Sequence, residues 1–400
     1  MSYNIAMSGL RSTNQELSTI SNNIANASTA GFRGARAEFA AVYNGGQAGG
    51  VAMTGASQNF SLGGSMTYTG RELDLGIQGN GFFMVNGSDG STLYSRAGMF
   101  NQDAEGYVVD PYGNKLQGYP VGPTGDVMTG NVGDIQVQAG SIPAQATTNI
   151  NMTANLDARV TAIDPVAKPF DSADVSTYHS SNTVSVYDSQ GNEHALTQYY
   201  VKTADNTWNV HYSLDGTTLP DVNNVSFDTD GNMTGGAIDN LTITGATLGT
   251  GASDMTLALE WKHTTQYGSD YNTSSIDQNG NTSGELVGVR VDEDGFLYGT
   301  YTNGEEKLQG QVVLASFTNP NGLEAVNNTS WTANQAAGAP AVGAPGSGTL
   351  GSVSSGYIEG SNVDLTAEMV NLMTAQRNYQ SNAKVLTAAD TMNQSLLNAI

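Results

Sequence analysis

The sequence predicts a mainly β protein: two nested β domains, carried on an α-helical coiled-coil domain formed by the N- and C-terminal segments. Three observations lead there. Apolar or small residues recur at alternating four- and three-residue steps at both ends, and almost nowhere between them. The middle instead shows short period-two runs punctuated by Asp-Gly and Asn-Gly turns, the pattern of hairpins. Only 13% of residues are charged and 49 are Gly, so Asn, Ser, Thr and Gln cover the surface of a turn-rich chain.

Residues 3–28 read as a helix whose seam is Ala6, Leu10, Thr13, Leu17, Ile20, Ile24 and Ala27, with Gly31 as the natural stop. At the other end Leu365, Met369, Leu372, Tyr379, Ala383 and Leu386 keep the same register, with Gln376 as a polar break. A 3.5-residue repeat lines these side chains along one seam that a second helix covers. A lone helix of this length is marginal in water, so each end needs the other end or another copy of the chain. Ser361 and Asp364 have capping-box spacing, and the last helix runs on for about 50 Å at 1.5 Å per residue. Its apolar arc drifts to Val385, Leu386, Ala389, Leu396 and Ile400, as a straight 3.6-residue helix does relative to a strict heptad.

Between the ends, residues 31–70 are glycine-rich and read as a connector. Period-two runs at Leu73–Ile77, Phe83–Val85, Tyr94–Phe100 and Tyr107–Asp110 begin an inner β domain, residues 71–146, which resumes at 285–360 with Leu286–Val291, Phe296–Tyr301 and Gln311–Phe317. Inserted in it, residues 147–284 form an outer β domain. Thr183–Tyr187, Ala195–Lys202 and Thr207–Tyr212 make a meander there, followed by Val225–Phe227 and Met255–Trp261. The terminal assembly domain is 1–30 plus 361–400.

The net charge of −23 lies almost wholly between residues 71 and 360, while both ends are near neutral. Such a middle is a poor partner for nucleic acid or an anionic membrane. The absence of cysteine excludes disulfides, thiolate metal sites and cysteine nucleophiles. Met1–Thr19 has neither a basic n-region nor a continuous apolar stretch, so no cleaved secretion signal is expected, and no run is long enough to span a membrane. His179, His194, His211 and His263 lack ligand spacing, and read as polar strand residues. Asp228-Thr-Asp230-Gly231-Asn232 and Asp292-Glu-Asp294-Gly295 fit hairpin turns better than calcium loops. No catalytic, cofactor-binding or metal site is expected, and the chain reads as a non-enzyme.

Two stretches carry a resemblance. Ile20 through Phe32, with Asn22, Asn23, Ile24, Ala25, Asn26, Gly31 and Phe32, resembles the N-terminal motif of the axial proteins of the bacterial flagellum. Ser361-Asn362-Val363-Asp364-Leu365, with Gln376, Arg377, Asn378 and Tyr379, resembles their C-terminal motif. Gly79-Asn80-Gly81-Phe82-Phe83 is similar to the start of their shared β domain. Rod members are shorter and lack a second large β domain. The segment Thr183–Asn192, with Tyr199, Tyr200 and Trp208, resembles the outer domain of the hook members.

The resemblance implies a hook subunit, exported through the flagellar apparatus and polymerising outside the cell, attached to the basal body. The polymer is a curved tube that works as a universal joint. Implied partners are further copies of the chain, the distal rod, hook cap and hook-filament junction proteins, and the export apparatus. The other role within the family is a distal rod or hook-associated protein. The residues expected at the assembly interface are Ala6, Leu10, Leu17, Ile20, Ile24, Leu365, Met369, Leu372, Tyr379, Leu386 and Leu396.

Overall fold

The computed structural model describes residues 2–44, 47–122, 125–138, 140–236 and 238–397. The chain is mainly β, with its two terminal helices packed on each other. It divides into two compact units. One is Met1–Ala139 with Gly288–Thr300 and Glu306–Ile400; the other is Gly140–Val287 with Tyr301–Glu305.

In the first unit, helix α1 (Ser2–Ala25) and helix α2 (Leu365–Leu397) bracket a sheet system. Residues 31–70, expected as a connector, instead contain a long antiparallel hairpin of β1 (Ala35–Asn44) and β2 (Gln47–Gln58), with bulges after Glu38 and Val42. Its many Ala and Gly residues gave no period-two signal, because neither face forms a deep core. The hairpin lies along α1: Ser12 Oγ donates to Val51 O at 3.4 Å, and Ser8 Oγ accepts from Val51 N at 3.2 Å.

Beyond the hairpin, Phe82–Asn86 pairs with Thr92–Ser95, Lys115–Pro120 and Leu314–Ser316. Trp331, Phe82, Tyr94 and Phe317 meet edge to face in the core of this sheet. The expected single strand Tyr94–Phe100 ends at Ser95, where the chain turns away at Arg96. Two short pairings hold the roots of the helices to the sheet, Leu75–Gln78 with Ser352–Ser355 and Met66–Tyr68 with Tyr357–Glu359.

The second unit is a sandwich of two five-stranded sheets. One is the expected meander, Ser180–Tyr187, Glu193–Ala204, Thr207–Leu214, Thr217–Phe227 and Met233–Gly235. The other is built around Asn149–Asp157, which pairs with Met255–Glu260, Thr265–Tyr267 and Asn272–Gln278. Inner faces of both sheets supply one core around Trp208, Trp261, Tyr200 and Leu257. The indole of Trp208 donates to Gln266 Oε1 at 2.6 Å, and Gln266 in turn donates to Asn206, so the polar handle of the largest core residue is satisfied. The chain enters and leaves this sandwich side by side: Ile142 bridges Gly284 and Gln145 bridges Asn281, antiparallel.

One turn is used repeatedly. At Asp110, Asp188 and Asp228 the carboxylate Oδ1 accepts backbone amides two and four residues on. The Asn at the fourth position donates its side-chain amide to Oδ2. These carboxylates are occupied in closing hairpins. His194 is not an ordinary strand residue. It is buried, with Nδ1 2.7 Å from Asp215 Oδ2 and Nε2 3.5 Å from Asp188 Oδ2, partners on two separate turns.

Candidate assembly interface

The helices α1 and α2 run antiparallel. Asn23 Nδ2 donates to Glu368 Oε1 at 3.2 Å. Fourteen positions earlier on α1, Gly9 approaches Asn382, fourteen positions later on α2, so closely that an added Cβ would lie 2.9 Å from the Asn382 amide. The buried face of α1 carries Ala6, Thr13, Ile20 and Asn23, with Ser12 turned to the hairpin. On α2, among the described residues, only Ala375 is fully buried, flanked by half-buried Leu372, Asn382, Leu386 and Ala389.

The seam is therefore narrow and made of small or polar groups. A close approach of two backbones requires residues such as Gly9, Ala6 and Ala375 at the contact. It leaves little apolar area to remove from water, at about 25 cal/mol per Å².

Apart from Ile20, most large apolar side chains lie beside the seam rather than in it. Ala6 and Ile20 are on it; Leu10, Leu17 and Ile24, seven residues apart, form a half-buried strip next to it. Leu372 and Leu386 are half-buried, while Leu365, Met369 and Tyr379 are exposed. The expectation that the face from Leu365 to Leu386 meets α1 is thus corrected at Leu365, Met369 and Tyr379. Choosing the largest apolar residues selected the neighbouring face, whereas helix contact selected the smallest ones. The side chain of Leu396 and all of Ile400 lie outside the described residues.

The motif residues do other work than seam packing. Asn23 binds the hairpin like a strand neighbour: Nδ2 donates to Ala35 O at 2.8 Å and Oδ1 accepts from Ala35 N at 2.9 Å. Asn26 closes the helix, donating its side-chain amide to Asn22 O at 3.0 Å and accepting from Thr29 Oγ1. Ala25 is exposed at the last helical position. Gly31 has φ +69°, and a Cβ there would lie 2.5 Å from Ala97 N, so both conformation and space demand glycine.

Phe32 O accepts from Asn362 N, and Asn362 Oδ1 accepts from Gly34 N at 2.7 Å. The cap of α2 is Asp364 itself, whose Oδ1 accepts from the amides of Thr366 and Ala367 at 2.8 and 3.1 Å; Ser361 instead accepts from Val363. Gln376, Arg377 and Asn378 are exposed on α2, with Arg377 reaching Thr374. Sequence reasoning missed Arg33, Glu359 and Arg96, three buried charges at the helix roots. Charged residues so far apart carry no spacing signal.

Among the described residues no group of three or more His, Asp or Glu is placed to hold a metal ion, and no helix is long and apolar enough to cross a membrane.

The profile described as "Flagella basal body rod protein" matches residues 4–33, and "Flagellar basal body rod FlgEFG protein C-terminal" matches 354–399. Between them, "Flagellar hook protein FlgE/F/G D1 domain" matches 76–159 and "Flagellar basal body protein FlaE D2 domain" matches 155–281. The flagellar hook protein FlgE of Salmonella typhimurium is 39% identical over 409 residues, covering the whole of both chains. The chain belongs to the flagellar hook protein family. The hook protein of Escherichia coli K12 is 37% identical, again over the whole of both chains. That of Borreliella burgdorferi is 29% identical over 98% of this chain and 97% of its own.

The crystal structure of the Helicobacter pylori hook protein FlgE2 shares the fold, with a TM-score of 0.56 at 14% identity, covering 73% of this chain and all of that one. The chain is a subunit of the flagellar hook, a homo-polymeric component, and the terminal helices described above are those of a hook subunit.

Proposed function

We propose that this hook subunit is a non-enzymatic building block that polymerises through the apolar strips left uncovered on α1 and α2. The polymer is a curved tube outside the cell, acting as a universal joint that passes motor torque from rod to filament. One observation carries this reading. The helix pair buries small and polar groups between its members, while Leu10, Leu17, Ile24, Met369, Val370 and Val385 remain half-buried or exposed. A pair with its larger apolar residues outside is incomplete alone, and further copies complete it.

On this reading Ala6, Ile20, Leu372 and Leu386 join the helices within one subunit, and Leu10, Leu17, Ile24, Leu365, Met369 and Tyr379 meet neighbours. The distal rod, hook cap and hook-filament junction proteins and the export apparatus are the further partners. The test is electron microscopy of full-length protein beside chains lacking residues 1–30 or 362–400. Curved tubes are expected from the full chain only, with both truncated chains still showing the β-sheet circular dichroism of folded protein. Tubes from either truncated chain would refute the reading, and straight rods or capped oligomers from the full chain would move it to another axial role.

A further inference from the structure

Three charged side chains meet at the roots of both terminal helices. Arg33 lies shortly after α1, Glu359 shortly before α2, and Arg96 directly after the strand Thr92–Ser95. All three are more than nine-tenths buried. Arg33 Nη2 donates to Glu359 Oε1 at 2.7 Å, and Arg96 Nη1 donates to Oε2 at 3.2 Å. The amide of Gly64 also donates to Oε1, at 2.8 Å, and Arg96 Nη2 donates to Gly79 O at 2.8 Å. One carboxylate therefore ties together the segment leaving α1, the hairpin exit, the sheet and the segment entering α2.

Stability alone does not account for this arrangement. Desolvating three charges is expensive, and apolar residues of the same volume commonly hold such a place as well or better. Here two guanidinium groups share one carboxylate, and among the described residues Arg33 Nε, Arg33 Nη1 and Arg96 Nε have no hydrogen-bond partner. Burial lowers the Arg96 pKa to about 10; Glu359 opposes the shift and Arg33 adds to it.

What the cluster does supply is direction. Guanidinium and carboxylate are planar and their bonds are angular, and Glu359 and Arg96 are each also bonded to a further segment, at Gly64 and Gly79. Around them Gly31 N donates to Glu359 O at 2.8 Å, and Asn362 Nδ2 donates to the carbonyls of Asn59 and Leu62 at 2.8 and 2.9 Å. Rotating either helix root breaks several of these bonds together.

We propose that the Arg33–Glu359–Arg96 cluster is a positioning node that fixes the direction in which both terminal helices leave the sheet, and through it the helical order of the polymer. This rests on the assembly reading above. The test uses the full chain with Arg33→Met, Glu359→Leu and Arg96→Met combined, and separately Arg33→Lys, which keeps the charge and loses the fork. Thermal unfolding of the subunit and diffraction from its polymers are measured on each.

The triple variant is expected to melt within a few degrees of the parent yet form polymers whose layer lines broaden or vanish. Arg33→Lys should lose part of that order. Parental layer lines from either variant would overturn the node while leaving the assembly reading intact. Should the triple variant fail to fold, the Arg33→Lys polymer decides alone. A parent chain that never polymerises would overturn both.

Discussion

The β sandwich of Gly140–Val287 and the terminal helix pair bury opposite kinds of residue. The sandwich encloses Trp208, Trp261, Tyr200 and Tyr212 between its two sheets and satisfies the polar atoms of Trp208, Trp261 and Tyr200 internally. The helix pair encloses Ala6, Thr13, Asn23 and Ala375 and turns Met369, Val370 and Met373 outward. The first region completes its fold within one chain. The second leaves large apolar side chains on its outside. On the proposed reading, folding and assembly fall to different parts of the sequence, and perturbing one should leave the other standing.

The sharpest way to break that separation is Trp208→Ala. Removing this fully buried side chain should destabilise the sandwich by about 3–5 kcal/mol, seen as an earlier calorimetric transition, while polymers still form. Loss of polymers would mean that the regions are not independent. Leu17→Glu tests the converse. Leu17 is half-buried on the strip beside the seam, so thermal unfolding should shift by less than about 1 kcal/mol. A charge in an apolar contact should nevertheless raise the critical concentration for assembly at least about tenfold, measured by sedimentation.

Acid is the gentlest probe. The Asp157 carboxyl is held at about 2 by its ion pair and hydrogen bonds with Arg159. Asp228 is held below the usual range by the backbone amide and side chain of Asn232. At Asp188 burial pushes upward, but bonds from Asn192, Thr250 and nearby amides outweigh it and the net shift is downward. Carboxyls depressed in the folded state stabilise it fully above their unfolded pKa, near 3.9. That stability is lost as pH falls from there through the folded values. The sandwich transition should therefore shift down between about pH 4 and pH 2, and Asp228→Asn should flatten part of that slope. An unchanged slope in the variant would remove Asp228 from the account.

How far the sequence could be read follows from the same contrast. The meander was legible because Val, Thr, Tyr and Trp alternate with polar residues between Asp-Gly and Asp-Asn turns. Its companion sheet was legible only in part: Met255–Trp261 reads as a strand and Met255–Glu260 is one, whereas Asn149–Asp157 buries Ile150, Met152, Ala154 and Leu156, but Asn and Thr between them and the Ala in the row dilute the signal. The hairpin of β1 and β2 escaped notice because it leans on a helix instead of forming a core.

At the helices the repeat was visible and the contact face was one strip off, since Gly9 and Ala375 carry no hydrophobic signal. The motif residues were recognisable as a string. That Asn23 completes a strand edge depends on how the hairpin folds back onto the helix, and that Arg33 and Arg96 meet at Glu359 depends on contacts across most of the chain.

The paired stems at Ile142–Gly284 and Gln145–Asn281 bring the two ends of the sandwich insertion together within one short ladder. To the rest of the chain, a module attached this way is equivalent to a surface loop. Its size, charge and surface chemistry are free to change by exchange of the whole cassette, while the helices and the node beneath them keep one design.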